Sequence, residues 1–219
     1  MSTRMLIDQA AWNGDVDHLL KELDNNPTTL HAITLEGGES PLHITCFAGQ
    51  VNLVGGFIEV RHDFSRELNQ DGFTHLHIAA ACGKAEIVKK LLKLLLASLD
   101  SVKWKTAQHE TCLHLAVKNH QFEALQVLIQ HLKQSNKEDY LNSKDIYGNI
   151  ILHVVVSKKQ FEVINFILNR QITSKENIEL NALNNSGLTP LDMLLMFQSE
   201  AGDREIEEIL ILHYNKSDL

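Results

Sequence analysis

Four histidines recur at one point of a repeated pentapeptide. They are His43 in Ser40-Pro41-Leu42-His43-Ile44, His77 in Thr74-His75-Leu76-His77-Ile78, His114 in Thr111-Cys112-Leu113-His114-Leu115 and His153 in Ile150-Ile151-Leu152-His153-Val154. Imidazoles in series suggest zinc, which needs ligand nitrogens about 2.0–2.1 Å from one ion. Equivalent residues of stacked helices stand roughly 8–10 Å apart, so neighbouring members of the series do not share an ion. The structural alternative is that each ring ties a helix start to the adjacent turn, with Ser40, Thr74 or Thr111 three residues upstream as partner. Asp8 and Asp192 hold the same place in the outermost copies, where a carboxylate would serve local capping. No metal and no cofactor is expected.

Other chemistry is sparse. Cys46, Cys82 and Cys112 are odd in number and form no C-x-x-C pair, so a disulfide framework is not expected and a reducing compartment fits. Free cysteines pack as small hydrophobes. No Ser-His-Asp order, phosphate-cradling glycine loop or paired-carboxylate motif stands out, so the reading is not an enzyme. With 20 Lys+Arg against 28 Asp+Glu, the net charge of −8 argues against general affinity for nucleic acid. The N-terminus, Met1-Ser2-Thr3-Arg4, opens straight into repeat-like sequence with no apolar signal core. Leu91 to Leu99 is apolar but shorter than the about 20 residues a membrane span needs.

The elements that position these residues are repeats. Ile7, Leu42, Leu76, Leu113, Leu152 and Leu191 stand 35, 34, 37, 39 and 39 residues apart. In the second copy Ser40 is a helix N-cap with Pro41 in the first turn, and the helix stops near Gly49. A second helix reopens at Gln50-Val51, with Leu53, Val54, Phe57 and Ile58 at helical spacing. The third copy predicts a turn at Asn69-Gln70-Asp71-Gly72, a helix from Thr74 to Cys82 and another from Ala85 to about Leu96. Further second helices are expected at Val16–Leu23, Phe122–Leu132 and Phe161–Leu168, and a last first helix at Leu191–Phe197. The longer spacings place extra loop residues near Ser135–Asp139 and Thr173–Glu176.

This period, carrying Ser/Thr-Pro-Leu-His, resembles the ankyrin-repeat family. The resemblance covers residues 4 to 212 and implies an all-α ankyrin-repeat solenoid of about six helix-turn-helix units with hairpin-like connecting loops. Its array spans 1–212, with units at 4–35, 36–69, 70–106, 107–145, 146–184 and 185–212, and a tail at 213–219. In finer detail, Phe64-Ser65-Arg66-Glu67-Leu68-Asn69 before Gly72-Phe73, and Leu180-Asn181-Ala182-Leu183-Asn184 before Gly187-Leu188, are similar to plant ankyrin proteins linked to innate immunity. Members of that branch continue into a Pro-Gly-Gly-containing domain and membrane helices, so this chain is expected to be either the cytosolic part of such a protein or a short relative of it. His75 and Cys112 stand for proline, Ile150 for threonine, and His120 and Lys159 for the glycine between helices.

The resemblance implies a protein-binding scaffold whose partner is another protein. The two positions before each inter-helix glycine would face the concave groove: Trp12-Asn13, Phe47-Ala48, Ala81-Cys82, Lys118-Asn119, Ser157-Lys158 and Met196-Phe197. Turn tips add Glu36 and Glu39, Asp71 and Phe73, Lys105 and His109, then Lys144, Asp145 and Tyr147. The partner-binding residues expected are Trp12, Asn13, Phe47, Phe73, Cys82, Lys118, Asn119, Lys158 and Tyr147, the alternatives being that Trp12 and Phe47 pack beneath the preceding hairpin and that Lys118 and Lys158 are simply solvated. The role implied is the cytosolic array of a plant defence signalling protein. In a longer form it would be tethered at the plasma membrane through a C-terminal region. The alternative is a cytosolic regulatory domain of a channel or transporter answering a small ligand or ion.

Overall fold

A serine before a proline starts a helix well, because the hydroxyl satisfies a free N–H and proline lacks the N–H that would be orphaned. In the computed structural model, Ser40 is extended at φ −71°, ψ 156°, and the helix Pro41–Ala48 begins after it. It ends where Gly49 turns left-handed at φ 89°, a conformation glycine adopts without steric cost. The structure describes residues 3–25, 39–60, 67–94, 101–168, 178–196 and 202–214.

Twelve α-helices and no strand lie among the described residues. They fall into six antiparallel pairs. The inner helices are α1 (Thr3–Asn13), α3 (Pro41–Ala48), α5 (His75–Ala81), α7 (Cys112–Lys118), α9 (Ile151–Ser157) and α11 (Pro190–Met196). The outer ones are α2 (Val16–Asn25), α4 (Val51–Val60), α6 (Ala85–Leu94), α8 (Phe122–Gln134), α10 (Phe161–Leu168) and α12 (Gly202–Tyr214). Each inner helix packs on the next, α1 on α3 through α9 on α11, and α4, α6 and α8 pack in the same order. The core is thus a seam between two helix rows, continuous from Ile7 through Leu42, Leu76, Leu113 and Leu152 to Leu194. Each pair buries its apolar face only by stacking on its neighbours.

The described turns are hairpin-like. Asn69, Thr106, Asp145 and Asn184 each bond their backbone N–H to the carbonyl four residues on, at 2.9–3.0 Å. The same side chains fold back on the loop: Asn69 Oδ1 accepts from the N–H of Asp71 and Phe73, and Asp145 Oδ1 from those of Tyr147 and Asn149. Successive tips are joined by Ile146 N–H to Gln108 O and Asn185 N–H to Tyr147 O, both 2.9 Å.

Several expectations shift. Asp8 does not cap a helix: α1 starts at Thr3, so Asp8 sits inside it and pairs with Arg4 one turn back at 3.7 Å. The residues near Ser135–Asp139 are not plain loop, because a 3₁₀ turn spans Glu138–Asn142 and buries Glu138 and Leu141. His120 (φ 59°) and Lys159 (φ 52°) adopt the left-handed conformation of the glycine they replace. The helix ends therefore survive the substitutions. The sixth pair's first helix begins at Pro190, one residue early. Glu36, Phe197, the loop at Thr173–Glu176, the stretch Phe64–Arg66 and the helix end at Leu96 lie outside the described residues.

Candidate functional site

The histidine series is a structural ladder. Each Nε2 meets a carbonyl of the chain leading into the next inner helix: His43 with Phe73 at 3.0 Å, His77 with Trp104 at 3.0 Å, His114 with Asn149 at 3.1 Å and His153 with Leu188 at 3.0 Å. A carbonyl only accepts, so Nε2 carries the proton and Nδ1 is the acceptor. Nδ1 takes the backbone N–H of Ser40, Thr74, Thr111 and Ile150 respectively, at 3.1–3.3 Å. Ser40, Thr74 and Thr111 hydroxyls add a second bond at 2.7–3.0 Å. Ile150 has no hydroxyl, so His153 makes only the backbone bond on that side.

Burial makes the neutral ring the favoured form, because desolvation penalises the charge. His43 and His77 are lowered to about 4, each partly offset by its bond to the carbonyl. His114 and His153 move the same way for the same reason. At the C-terminal end Asp192 does the capping: Thr189 N–H and hydroxyl donate to its Oδ2 at 2.9 and 2.7 Å. These backbone and hydroxyl bonds hold its carboxyl below the usual range. No group of three or more His, Cys, Asp or Glu able to hold a metal lies among the described residues.

The inner-helix ends do something else. Trp12 on α1 and Phe47 on α3 are 52% and 53% exposed, with ring centroids 5.8 Å apart and planes 33° from parallel. They are not packed beneath the hairpins. Together with Ile44 and Ile78 they line an open groove of about 400 Å³ that crosses α1, α3 and α5. Asp8, Glu39 and His43 complete the lining. Asp8 lies one turn before Trp12 on the same helix face, the spacing at which side chains meet. Its Oδ2 faces Arg4, while Oδ1 is buried with no hydrogen-bond partner. Desolvation raises the Asp8 carboxyl above its ordinary range, and Arg4 opposes that. Glu39 Oε1 accepts from Asn69 Nδ2 at 2.7 Å, which fixes the carboxylate at the groove rim.

The remaining expected residues are scattered. Asn13 is exposed beyond Trp12, outside the groove lining. Cys82 is half-buried, and its thiol is pushed up by desolvation against the pull of Lys84. Phe73 is half-buried, its carbonyl holding His43 and its ring meeting His77 edge-on at 6.2 Å. Lys118 pairs with the buried carboxylate of Glu110. Asn119 turns its amide back onto Leu115 O at 2.8 Å. Lys158 is exposed, and Tyr147 is 66% exposed at a hairpin tip. Of the expected set, the structure brings only Trp12 and Phe47 into one groove. Asp8, Glu39, Ile44 and Ile78 belong to it as well. Ile44 and Ile78 follow the histidine in equivalent pentapeptides, so the repeat itself could have signalled them.

A further contact recurs at the opposite helix ends. Gln50 Nε2 donates to Trp12 O at 2.9 Å, and Gln160 Nε2 to Val117 O at 2.7 Å. Each glutamine thereby adds a donor to a carbonyl in the last turn of the preceding unit's inner helix, and at Val117 it joins the N–H of His120, which reaches the same oxygen at 3.0 Å.

A family model described as ankyrin repeats, three copies long, matches residues 7–98 and again 90–176. The Arabidopsis thaliana protein XBAT31, which carries the name of an E3 ubiquitin-protein ligase, is 24% identical over 161 residues, 71% of this chain and 34% of its own length. The NF-kappa-B inhibitor zeta of Mus musculus is 31% identical over 121 residues, 55% of this chain and 16% of its own. This chain therefore spans about a third of the first relative's length and about a sixth of the second's. A chain from the solved complex of a predatory endopeptidase of Bdellovibrio bacteriovorus with an immunity protein superposes with a TM-score of 0.71 at 21% identity. That match covers 94% of this chain and 97% of the other, and at this identity it speaks for the fold. With six stacked helix pairs among its described residues and a family match over more than half its length, this chain belongs to the ankyrin-repeat family.

Proposed function

We propose that this array is a non-catalytic scaffold that holds a protein segment in the groove at its N-terminal half. The observation that carries the reading is the Trp12–Phe47 pair, two large aromatics left half in water on adjacent inner helices. Aromatic side chains are the types that anchor protein interfaces, and each removes a large apolar area from water when covered. A lone exposed aromatic is ordinary, but two in contact, flanked by Ile44 and Ile78, form a patch.

The finer reading is the cytosolic array of a plant defence signalling protein, joined in its longer form to a membrane at the plasma-membrane face. The plant-like stretches at 64–73 and 180–194 support it, and so does the likeness to an Arabidopsis protein. The proposed anchor is a C-terminal region of that longer form; among the described residues no helix is long and apolar enough to cross a membrane.

The test is capture of crosslinked partners from plant extract by the wild-type array and by the Trp12→Ala, Phe47→Ala double variant. Loss of capture with an unchanged helical circular dichroism spectrum supports the groove. Undiminished capture by the folded double variant refutes it. Partners drawn from outside defence signalling would refute the finer role alone.

A further inference from the structure

The groove has a charge as well as a shape. Its lining carries two carboxylates, Asp8 and Glu39, and no cation. His43, the one other titratable group there, is neutral because desolvation outweighs its carbonyl bond. Arg4 engages Asp8 at 3.7 Å through Oδ2, which leaves the buried Oδ1 without a donor. A buried carboxylate oxygen with no donor is a cost that a ligand's N–H can remove. Beside it lie two aromatic rings, whose faces attract cations.

We propose that this groove receives an arginine side chain of the bound segment, its guanidinium lying against Trp12 and Phe47 and donating to Asp8 and Glu39. The inference rests on the groove reading above and adds the chemistry of the partner. Guanidinium is the cation these features select. It is planar and stacks on aromatic faces, it offers five donors in a fixed fork, and it sheds water more readily than an ammonium. The apolar walls at Ile44 and Ile78 would cover the methylene stem or a neighbouring apolar residue of the same segment.

A random short-peptide library displayed on phage and selected against the whole chain supplies the probe. Enriched peptides should share an arginine beside apolar residues. Replacing that arginine with citrulline, its neutral isostere, should weaken binding by about tenfold, the scale of one charge-assisted hydrogen bond. The Asp8→Asn, Glu39→Gln array should bind both peptides with the weaker affinity, which assigns the loss to these carboxylates. Equal binding of the citrulline peptide overturns the proposal, as does an arginine preference that persists in the Asp8→Asn, Glu39→Gln array. Lysine binding as tightly as arginine overturns the choice of guanidinium. Enriched peptides without arginine that still depend on Trp12 and Phe47 overturn the arginine alone and leave the groove reading standing. Enrichment unchanged by the Trp12→Ala, Phe47→Ala double variant, or no enrichment at all, overturns both.

Discussion

Mild acid should loosen this array through its histidine ladder. His43 and His77 are each about 1% exposed, each donates Nε2–H to a carbonyl of the chain leading into the next inner helix, and each is lowered from 6.5 to about 4 by desolvation. The unfolded chain takes up these protons near pH 6.5, while the folded chain resists until about pH 4. Between those values the unfolded state binds more protons, so stability is full above pH 6.5 and falls as the pH is lowered. At pH 5 the difference amounts to about 2 kcal/mol per ring, or about 4 kcal/mol for the two. His114 and His153 add in the same direction. Against a typical stability of about 5–15 kcal/mol, that is a large fraction. Urea unfolding followed by circular dichroism at pH 7 and pH 5 reads it directly. With a slope of about 2 kcal/mol per molar urea, the midpoint should drop by about 2 M. His77→Gln should start lower at pH 7 and lose less between the two values. A midpoint unchanged from pH 7 to pH 5 would refute the reasoning, because it would mean the rings are not held neutral.

Two further outcomes follow from the backbone and the thiols. His120 and Lys159 hold left-handed φ values of 59° and 52° in place of glycine; His120→Gly and Lys159→Gly should each stabilise by about 0.5–1 kcal/mol, read as a rise in Tm, since β-carbon crowding exceeds glycine's extra chain entropy at such positions. Cys46 and Cys112 are buried with thiols pushed well up by desolvation, Cys112 to about 12, whereas Cys82 is half-buried. Iodoacetamide on the native chain should label Cys82 alone by mass spectrometry, with the other two labelled only in denaturant.

The fold was legible because the same physics is written several times over. Ser40, Thr74 and Thr111 each sit one residue before a helix and three before a histidine, so one cap pattern marks the helix start in three successive units. The left-handed positions at His120 and Lys159 carry no glycine, so only their register with Gly49 and Gly83 in the repeat marks them in the sequence. The first unit misled for the converse reason. Ile7 aligns with Leu42, yet no Ser-Pro pair precedes it, so α1 starts early at Thr3 and Asp8 becomes a mid-helix groove residue instead of a cap. Lys118 is expected at the partner surface, but it pairs with Glu110 just before the start of its own helix, a contact along the helix that the repeat pattern does not reveal. Trp12 and Phe47 could be placed on one face by the repeat, but whether they packed or stood in water depended on three-dimensional neighbours.

The chain has two tryptophans, Trp12 in the groove and Trp104 whose carbonyl holds His77. Proton–nitrogen spectra therefore show two indole signals, assignable with a Trp12→Phe variant. Titration with a peptide selected on the array should shift the Trp12 indole and leave Trp104 in place. A saturating peptide that moves Trp104, or neither signal, would contradict binding at this groove.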